Sequence, residues 1–480
     1  MSVAADSSLP ERREKEQSQQ GEAQKRQKAI RRSSPLLARM RGHSDLAVLD
    51  LSDLPTLAEE IRQQMVDVVC STGGHLGSNF GVVELTIALH RVFDFNRDAL
   101  VMDVGHQCYP HKLLTGRAAR FHTLRSKDGI SGYPHPAESS TDMMRSGHAG
   151  TAISVGLGIA EAAGLLQQDR HVVCLVGDSS LAAGVALEGL NYADNLGRNM
   201  LVVLNDNEMS ISKTVGSLAS YLSRLRAAPL YTGAKDRLRA LVRSFPFGEK
   251  IDKNLGDMVD AVKAAIAPGH LFEELGFRYY GPVGGHDIKD LIDQLNVVKD
   301  LPGVTMLHVV TKKGKGLERT GKDTRFLHAV SPGATLPGYN SAEGVLPREE
   351  QSAKGSASLC FTDAFGDAIC DAARRDPRVV GITAAMPEGS GLTRFAKEYP
   401  ERFHDTGITE QHAVAFAGGL ARAGARPVCA IYSTFLQRAY DQVFQEAVLQ
   451  DHGVMFCLDR GGLVGQDGPS HHGCHDIAYS

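Results

Sequence analysis

Asp178 and Asn207 stand 29 positions apart, each at the end of an apolar run. Asp178 lies in Gly177-Asp178-Ser179-Ser180 and Asn207 in Asn205-Asp206-Asn207-Glu208-Met209. A carboxylate and an amide oxygen are hard ligands. Mg2+ takes few such protein atoms and completes its octahedron with phosphate oxygens and water. The small residues after Gly177 let backbone N–H groups face an anion. Gly, Asp and Asn also build ordinary turns. Two such ends on neighbouring apolar segments, at this spacing, favour a metal–phosphate site over two unrelated turns.

These residues need rigid elements to carry them. Leu57–Val69 and Val82–Phe93 have the apolar spacing of amphipathic helices, and Leu100–Val104 reads as a short strand. The small-residue segment His148–Leu166 is expected to be a helix, followed by a strand over His171–Val176, a helix over Ala186–Leu196 and a strand over Met200–Leu204. Continuous apolar strands alternating with helices predict a parallel sheet covered on both faces, with ligands gathered at the strands' carboxyl ends. Residues 331–358 are rich in Pro, Gly, Ser and Ala and are read as carrying a linker. A second unit follows: helix Leu359–Arg374, strand Val379–Thr383, helix Ala413–Ala423, and strands Pro427–Tyr432 and Val454–Leu458. Residues 213–268 contain basic helical pieces and no clear strand, as a mobile cover would.

The chain's 480 residues exceed one ordinary core and its net charge of −4 gives no global reason to expect a nucleic-acid partner. Tryptophan is absent and aromatic residues are 6%, which argues against a stacking surface for bases. The eight cysteines include no C-x-x-C pair and several sit in strand-like stretches, the pattern of buried free thiols in a reducing compartment. No uncharged apolar run reaches the roughly 18–20 residues of a membrane span. The first 45 residues are polar, with Asp6, Glu11, Glu14, Glu16 and Glu22 among the basic residues. A plastid transit peptide is poor in acids, so a disordered extension on a cytoplasmic bacterial protein is expected, with plastid targeting as the alternative.

The Gly177-Asp178-Ser179 and Asn205-Asp206-Asn207 pair resembles the thiamine diphosphate motif of transketolase-like enzymes, with Ser179 where the family usually has Gly. Further blocks resemble the 1-deoxyxylulose-5-phosphate synthase family. They are Gly74-His75-Leu76-Gly77-Ser78, the run from Asp103 to Arg117, Gly281–Asp287, Thr409-Glu410-Gln411-His412, Tyr432–Gln442 and Asp459–His471, in family order. The resemblance implies two thiamine-diphosphate-binding-type α/β domains, each a mostly parallel sheet flanked by helices. A diphosphate- and metal-binding domain would span residues 46–345, a linker 346–357, and a pyrimidine-binding domain 358–480. The family's continuation past the position of Ser480 makes that second domain incomplete and a third domain absent. Such a chain is expected to keep its cofactor with weak or no turnover, and a homodimer is implied for the complete enzyme.

By the same resemblance, Glu410 is the carboxylate that shares a proton with the cofactor's pyrimidine ring. At the first turn of a helix it would also complement the dipole. His75, His328 and His471 are the catalytic imidazoles, suited to proton transfer near neutral pH. His106, Gly147, His148, Ala149, Ser179, Ser180, Asn207 and Lys313 would touch the cofactor. Asp178, Asn207 and Met209 would hold Mg2+. Tyr432, Arg438, Arg460 and Asp467 would line the substrate site, because guanidinium forks bind phosphate. The implied reaction joins pyruvate to D-glyceraldehyde 3-phosphate with loss of CO2. Transketolase-type ketol transfer, or cofactor binding without turnover, are the alternatives.

Overall fold

The structure is a computed structural model that describes residues 34–207, 216–227, 269–317, 328–334, 336, 360–465 and 467–479. Helix α1 (Leu54–Thr72) starts on Pro55, which suits a first turn whose N–H has no intrahelical partner. Its Leu57, Ile61, Met65 and Val69 recur every four residues and are buried. It stops at Gly73, whose φ of 77° a side chain would resist. Helix α2 (Val83–Val92) follows, then strand β1 (Ala99–Met102), helix α3 (Ala152–Leu165), strand β2 (Val172–Gly177), helix α4 (Gly184–Tyr192) and strand β3 (Met200–Asp206). Helix α5 (Ser217–Ala227), strand β4 (Arg278–Gly284), helix α6 (Ile288–Val298) and strand β5 (Val304–Val310) complete the first unit.

Its five strands run in the order β1-β2-β3-β5-β4, and every pair is parallel. Strand residues alternate between two cores, as a period of two requires. Val173, Leu175, Leu201, Val203, Leu307 and Val309 pack with α1, α2 and α6. Val172, Cys174, Val176, Val202, Leu204 and Met306 pack with α3 and α4. Each fully buried Val or Leu contributes about 1.5–3 kcal/mol of hydrophobic stabilisation. With both faces of the sheet covered, the chemistry is left to the strand ends.

The second unit begins with helix α7 (Phe361–Arg375), then strand β6 (Val379–Thr383), strand β7 (Phe403–Asp405), helix α8 (Glu410–Arg422), strand β8 (Arg426–Tyr432) and strand β9 (Met455–Asp459). Its order is β7-β6-β8-β9, again all parallel. One core joins Ile382, Cys429 and Ile431 to α8, and the other joins Val379, Val428 and Ala430 to α7.

The two-sheet α/β architecture agrees with the sequence reading. Several details differ. The folded core reaches back before residue 46, since Leu37 and Met40 are buried within it. The strand expected to run to Val104 ends at Met102, because Val104 (φ 57°) and Gly105 (φ 81°) turn the chain away. The helix expected from His148 starts at Ala152, where the Asp103 carboxylate accepts the backbone N–H groups of Gly150 and Ala152. Strands β4, β5 and β7 were not anticipated. The linker 346–357 lies outside the described residues, as does most of 213–268 apart from α5. All eight cysteines are free, and Cys70, Cys108, Cys174, Cys370 and Cys429 are buried. Among the described residues no helix is long and apolar enough to cross a membrane.

Candidate active site

The carboxyl ends of the sheets carry Asp178, Asn207, Tyr432 and Arg460, and side chains of the two units touch. Asp178 directly follows β2 and is 5% exposed. The register pairs Gly177 with Asn205, so Asp178 and Asn207 leave adjacent strands. Ser179 has φ −70° and ψ −35°, an ordinary right-handed conformation. The conformational freedom of the usual Gly is therefore not required here. Lys313 lies just past β5, in a turn whose Gly314 N–H donates to Gly77 O at 2.8 Å. Burial brings its ammonium down to about 8, against the opposing pull of Asp178. Met209 lies outside the described residues. Among the described residues no group of three or more His, Cys, Asp and Glu is gathered for a metal. The pair Asp178 and Asn207 matches the sparse donor set that Mg2+ takes when phosphate supplies the remaining oxygens.

Three of the histidines form one cluster. The His75 ring lies 5.4 Å from that of His106 and 5.3 Å from that of His328, and the latter two are 5.5 Å apart. They come from three segments: the turn after α1, the loop after β1, and residues 328–334. Asn79 binds two of these segments together, donating through Nδ2 to the carbonyls of His75 (2.6 Å) and His106 (2.8 Å). Ser78 Oγ sits 3.1 Å from His106 Nε2 and 3.5 Å from His328 Nδ1. Tyr133 continues the row, edge-on to His75 at 6.0 Å and stacked on His471 at 5.2 Å. His148 is anchored by its Nε2–H, which donates to Ser470 O at 2.8 Å.

Burial, helped by Arg125, His471 and Lys313, holds the His75 imidazole down at about 3. His471 is lowered to about 4, chiefly by burial with Asp467 opposing. His106 and His328 lie well below the ordinary value for the same first reason. At neutral pH these rings are uncharged, each with one donating and one accepting nitrogen. Nδ1 of His75 and Nδ1 of His106 are buried without a hydrogen-bond partner.

Glu410 opens α8 and is 4% exposed. Burial pushes its carboxyl up, with Arg438 opposing. Its Oε2 makes no hydrogen bond, although Arg438 Nη1 lies 3.6 Å away. Arg438 is also held by Ala149 O, to which Nη2 donates at 2.6 Å. Arg460 is exposed and lies over the Tyr432 ring at 5.1 Å. Asp467 accepts from Arg125 Nη2 at 2.7 Å, an ion pair that joins the two sheets' loops. Tyr133, Arg125, Ser78 and Phe435, the last stacked on Tyr432, were not singled out by the sequence.

Buried donors and acceptors without partners are rare and mark places where a group is missing. Among the atoms buried without a hydrogen bond in the described residues are Glu410 Oε2 and the Nδ1 atoms of His75 and His106. A cofactor with a basic ring nitrogen fits the Glu410 carboxyl, and buried Lys313 beside Asp178 suits an anionic group. The sequence pattern described as 1-deoxy-D-xylulose-5-phosphate synthase matches residues 37–311, and that of the transketolase pyrimidine binding domain matches 357–480. The chain belongs to the 1-deoxy-D-xylulose-5-phosphate synthase family. It is 48% identical to the 1-deoxy-D-xylulose-5-phosphate synthase of Dechloromonas aromatica over 93% of this chain and 70% of that protein. It is 46% identical to that of Natranaerobius thermophilus over 92% of this chain and 69% of the relative. A transketolase structure from Campylobacter jejuni is similar at 18% identity and a TM-score of 0.43, covering 90% of this chain and 73% of that one. The chain is thus a transferase of the transketolase class, in a family of thiamine diphosphate enzymes.

Proposed function

We propose that this site joins pyruvate to D-glyceraldehyde 3-phosphate, releasing CO2 and forming 1-deoxy-D-xylulose 5-phosphate, with thiamine diphosphate and Mg2+ bound. The observation that carries the reading is the buried Oε2 of Glu410, which has no hydrogen bond and lies 3.6 Å from Arg438, itself bonded to Ala149 O beside His148. Bound thiamine diphosphate supplies the carbon nucleophile and the electron sink for decarboxylation.

The protein's own residues then have distinct tasks. Glu410, whose carboxyl burial pushes up, would hold a proton at Oε2 for the cofactor's pyrimidine nitrogen. Asp178 and Asn207, with Met209 by resemblance, would hold Mg2+. Ser179, Ser180 and Lys313 would meet the diphosphate, and His106, Gly147, His148 and Ala149 would flank the cofactor. His75, His328 and His471, being neutral, can donate to one substrate oxygen and accept from another without placing a full charge beside it. Arg460 and Arg438 would take the phosphate of the second substrate, with Tyr432 and Asp467 lining that end. We further propose a homodimer and a cytoplasmic location, with the product feeding isoprenoid, thiamine and pyridoxal synthesis.

The test uses pyruvate labelled at its carboxyl carbon, with thiamine diphosphate, Mg2+ and D-glyceraldehyde 3-phosphate. Labelled CO2 with a new five-carbon ketose phosphate is expected. Ketol transfer from xylulose 5-phosphate without any CO2 from pyruvate would replace this reading with a transketolase one. Calorimetric binding of thiamine diphosphate with neither turnover would leave cofactor binding alone.

A further inference from the structure

We propose that Tyr133 determines which ring nitrogen of His471 carries the proton, and that a buried cluster of ionisable side chains holds Tyr133 in place for that purpose. The inference rests on the reading of His471 as a substrate-facing residue.

Tyr133 is 4% exposed, and its ring stacks on His471 with an interplanar angle of 21°. Its hydroxyl lies 3.4 Å from His471 Nε2. Burial keeps the phenol protonated, well above its ordinary range, so the hydroxyl is able to donate, and the proposal takes Nε2 as its acceptor. That direction puts the imidazole proton on Nδ1, which lies 3.0 Å from Ser470 Oγ, a hydroxyl able to accept it. His471 is thus fixed with an unprotonated Nε2, able to accept from a substrate hydroxyl that displaces the long contact to Tyr133.

The support beneath Tyr133 is otherwise hard to explain. Lys112, Arg117, Asp142 and His111 are buried, and Glu138 is mostly covered. Arg117 forks onto Asp142 at 2.7 and 2.8 Å, His111 Nε2 is 2.9 Å from the same carboxylate, and Lys112 Nζ donates to Glu138 at 2.5 Å. Replacing a buried ion cluster by apolar residues of similar volume is often neutral or stabilising, so stability alone does not account for this one. Both carboxylates spend their remaining capacity on the loop that carries Tyr133. Glu138 Oε1 accepts from Ser131 N at 2.6 Å, and Asp142 Oδ2 accepts from His135 N at 2.7 Å. These two anchors stand two residues before and two residues after Tyr133. The Ser131 hydroxyl accepts from the Tyr133 N–H as well, at 3.1 Å.

The experiment is NMR of the full chain labelled with 15N only in histidine rings, with His471 identified by its loss in His471→Asn. The parent protein should show His471 protonated on Nδ1. Tyr133→Phe keeps the stack and removes the donor. It should shift His471 to a mixture or to the Nε2–H tautomer, and lower turnover by about 3- to 10-fold, the effect of one neutral hydrogen bond. Glu138→Gln, which keeps the loop's volume, should shift the same populations by a smaller amount and serves if Tyr133→Phe does not fold. An unchanged His471 tautomer in a folded Tyr133→Phe chain, or a parent protein already protonated on Nε2, would overturn the proposal. The tautomer is read without substrate, so it fails or holds separately from CO2 release.

Discussion

Replacing Arg125 by Met removes the charge that reaches from the first sheet's loops to Asp467 in the second's. The two side chains meet at 2.7 Å and are 7% and 21% exposed. At that distance the attraction is roughly 6 kcal/mol for an effective dielectric near 20. Desolvation of the two ions cancels much of it, leaving about 1–3 kcal/mol for a pair with one partner partly in water. Arg and Met are both unbranched, so the left-handed backbone at this position (φ 59°) strains either of them similarly. The cost should appear locally. In the Asp467 segment the Val464, Gly468 and His471 N–H groups donate to His472 Nδ1, Gly465 O and Gly468 O. Hydrogen exchange followed by mass spectrometry should find these amides about 5- to 150-fold faster in Arg125→Met, while the amides of Met455–Asp459 stay unchanged. Asp467→Asn should act in the same direction, and the double variant should lose less than the sum of the two. Additivity within about 0.5 kcal/mol would show that the pair is not coupled. Acceleration spread over the whole second sheet would show that the pair supports the fold and not the loop.

Glu410→Gln should lower CO2 release by about 10²- to 10⁴-fold with secondary structure intact, because only the proton-sharing oxygen is lost; retained activity in a steady-state assay would exclude Glu410 as the proton carrier. His75 has a folded-state pKa of about 3 against an ordinary 6.5, so as pH falls the unfolded chain takes up the proton first. The stability is therefore complete above about 6.5 and is lost toward 3, roughly 2 kcal/mol of it by about pH 5. Thermal unfolding between about pH 7 and 5 should show His75→Gln less acid-sensitive than the parent, and parallel curves would assign the acid loss elsewhere. A Cβ on Gly147 would lie 2.4 Å from Ser470 Oγ and 2.7 Å from its Cβ. Gly147→Ala should separate the two loops and weaken thiamine diphosphate binding by about tenfold or more in calorimetry, through loss of preorganisation. Gly158→Ala in α3, with nothing within 4 Å, should bind normally.

The elements that carry Asp178 and Asn207 were readable because their strands are buried on both faces. Val172–Gly177 and Met200–Asp206 are nearly unbroken apolar runs that end in turn residues. Strand β4 concealed itself: Gly281-Pro282 interrupts it and separates the strand-favouring Tyr279 and Tyr280 from Val283. Strand β5 contains Thr305 and His308, both buried. His308 is tolerated there because its Nε2 lies 2.9 Å from Asp206 and its Nδ1 2.7 Å from the Tyr279 hydroxyl. No local periodicity reports such partners. Tyr133 and Arg125 were missed for the same reason, since their contacts to His471 and Asp467 join positions more than 300 residues apart. In the other direction, the resemblance gave weight to Ser179 as a departure, and its ordinary φ shows why a side chain is accepted there.

Burial at the site acts on acids and bases in one sense. It makes the imidazoles neutral and favours the protonated form of Glu410, so both kinds of group shed charge. The cations that remain are then arranged by what already answers them. Arg125 meets Asp467, Lys313 feels Asp178, and Arg438 lies against Ala149 O and Glu410. Arg460, exposed over the Tyr432 ring, lies at the solvent edge of this arrangement. A guanidinium there keeps its hydration until a ligand arrives, and an anion approaching from solvent meets it before the interior groups. The interior, with little net charge of its own, then favours whichever substrate oxygens can be hydrogen-bonded without being ionised. On the proposed reading, the exposed cation would collect a phosphate and the neutral rings would meet the carbonyl, a division that matches their burial. It explains why four histidines can share one site without repelling one another.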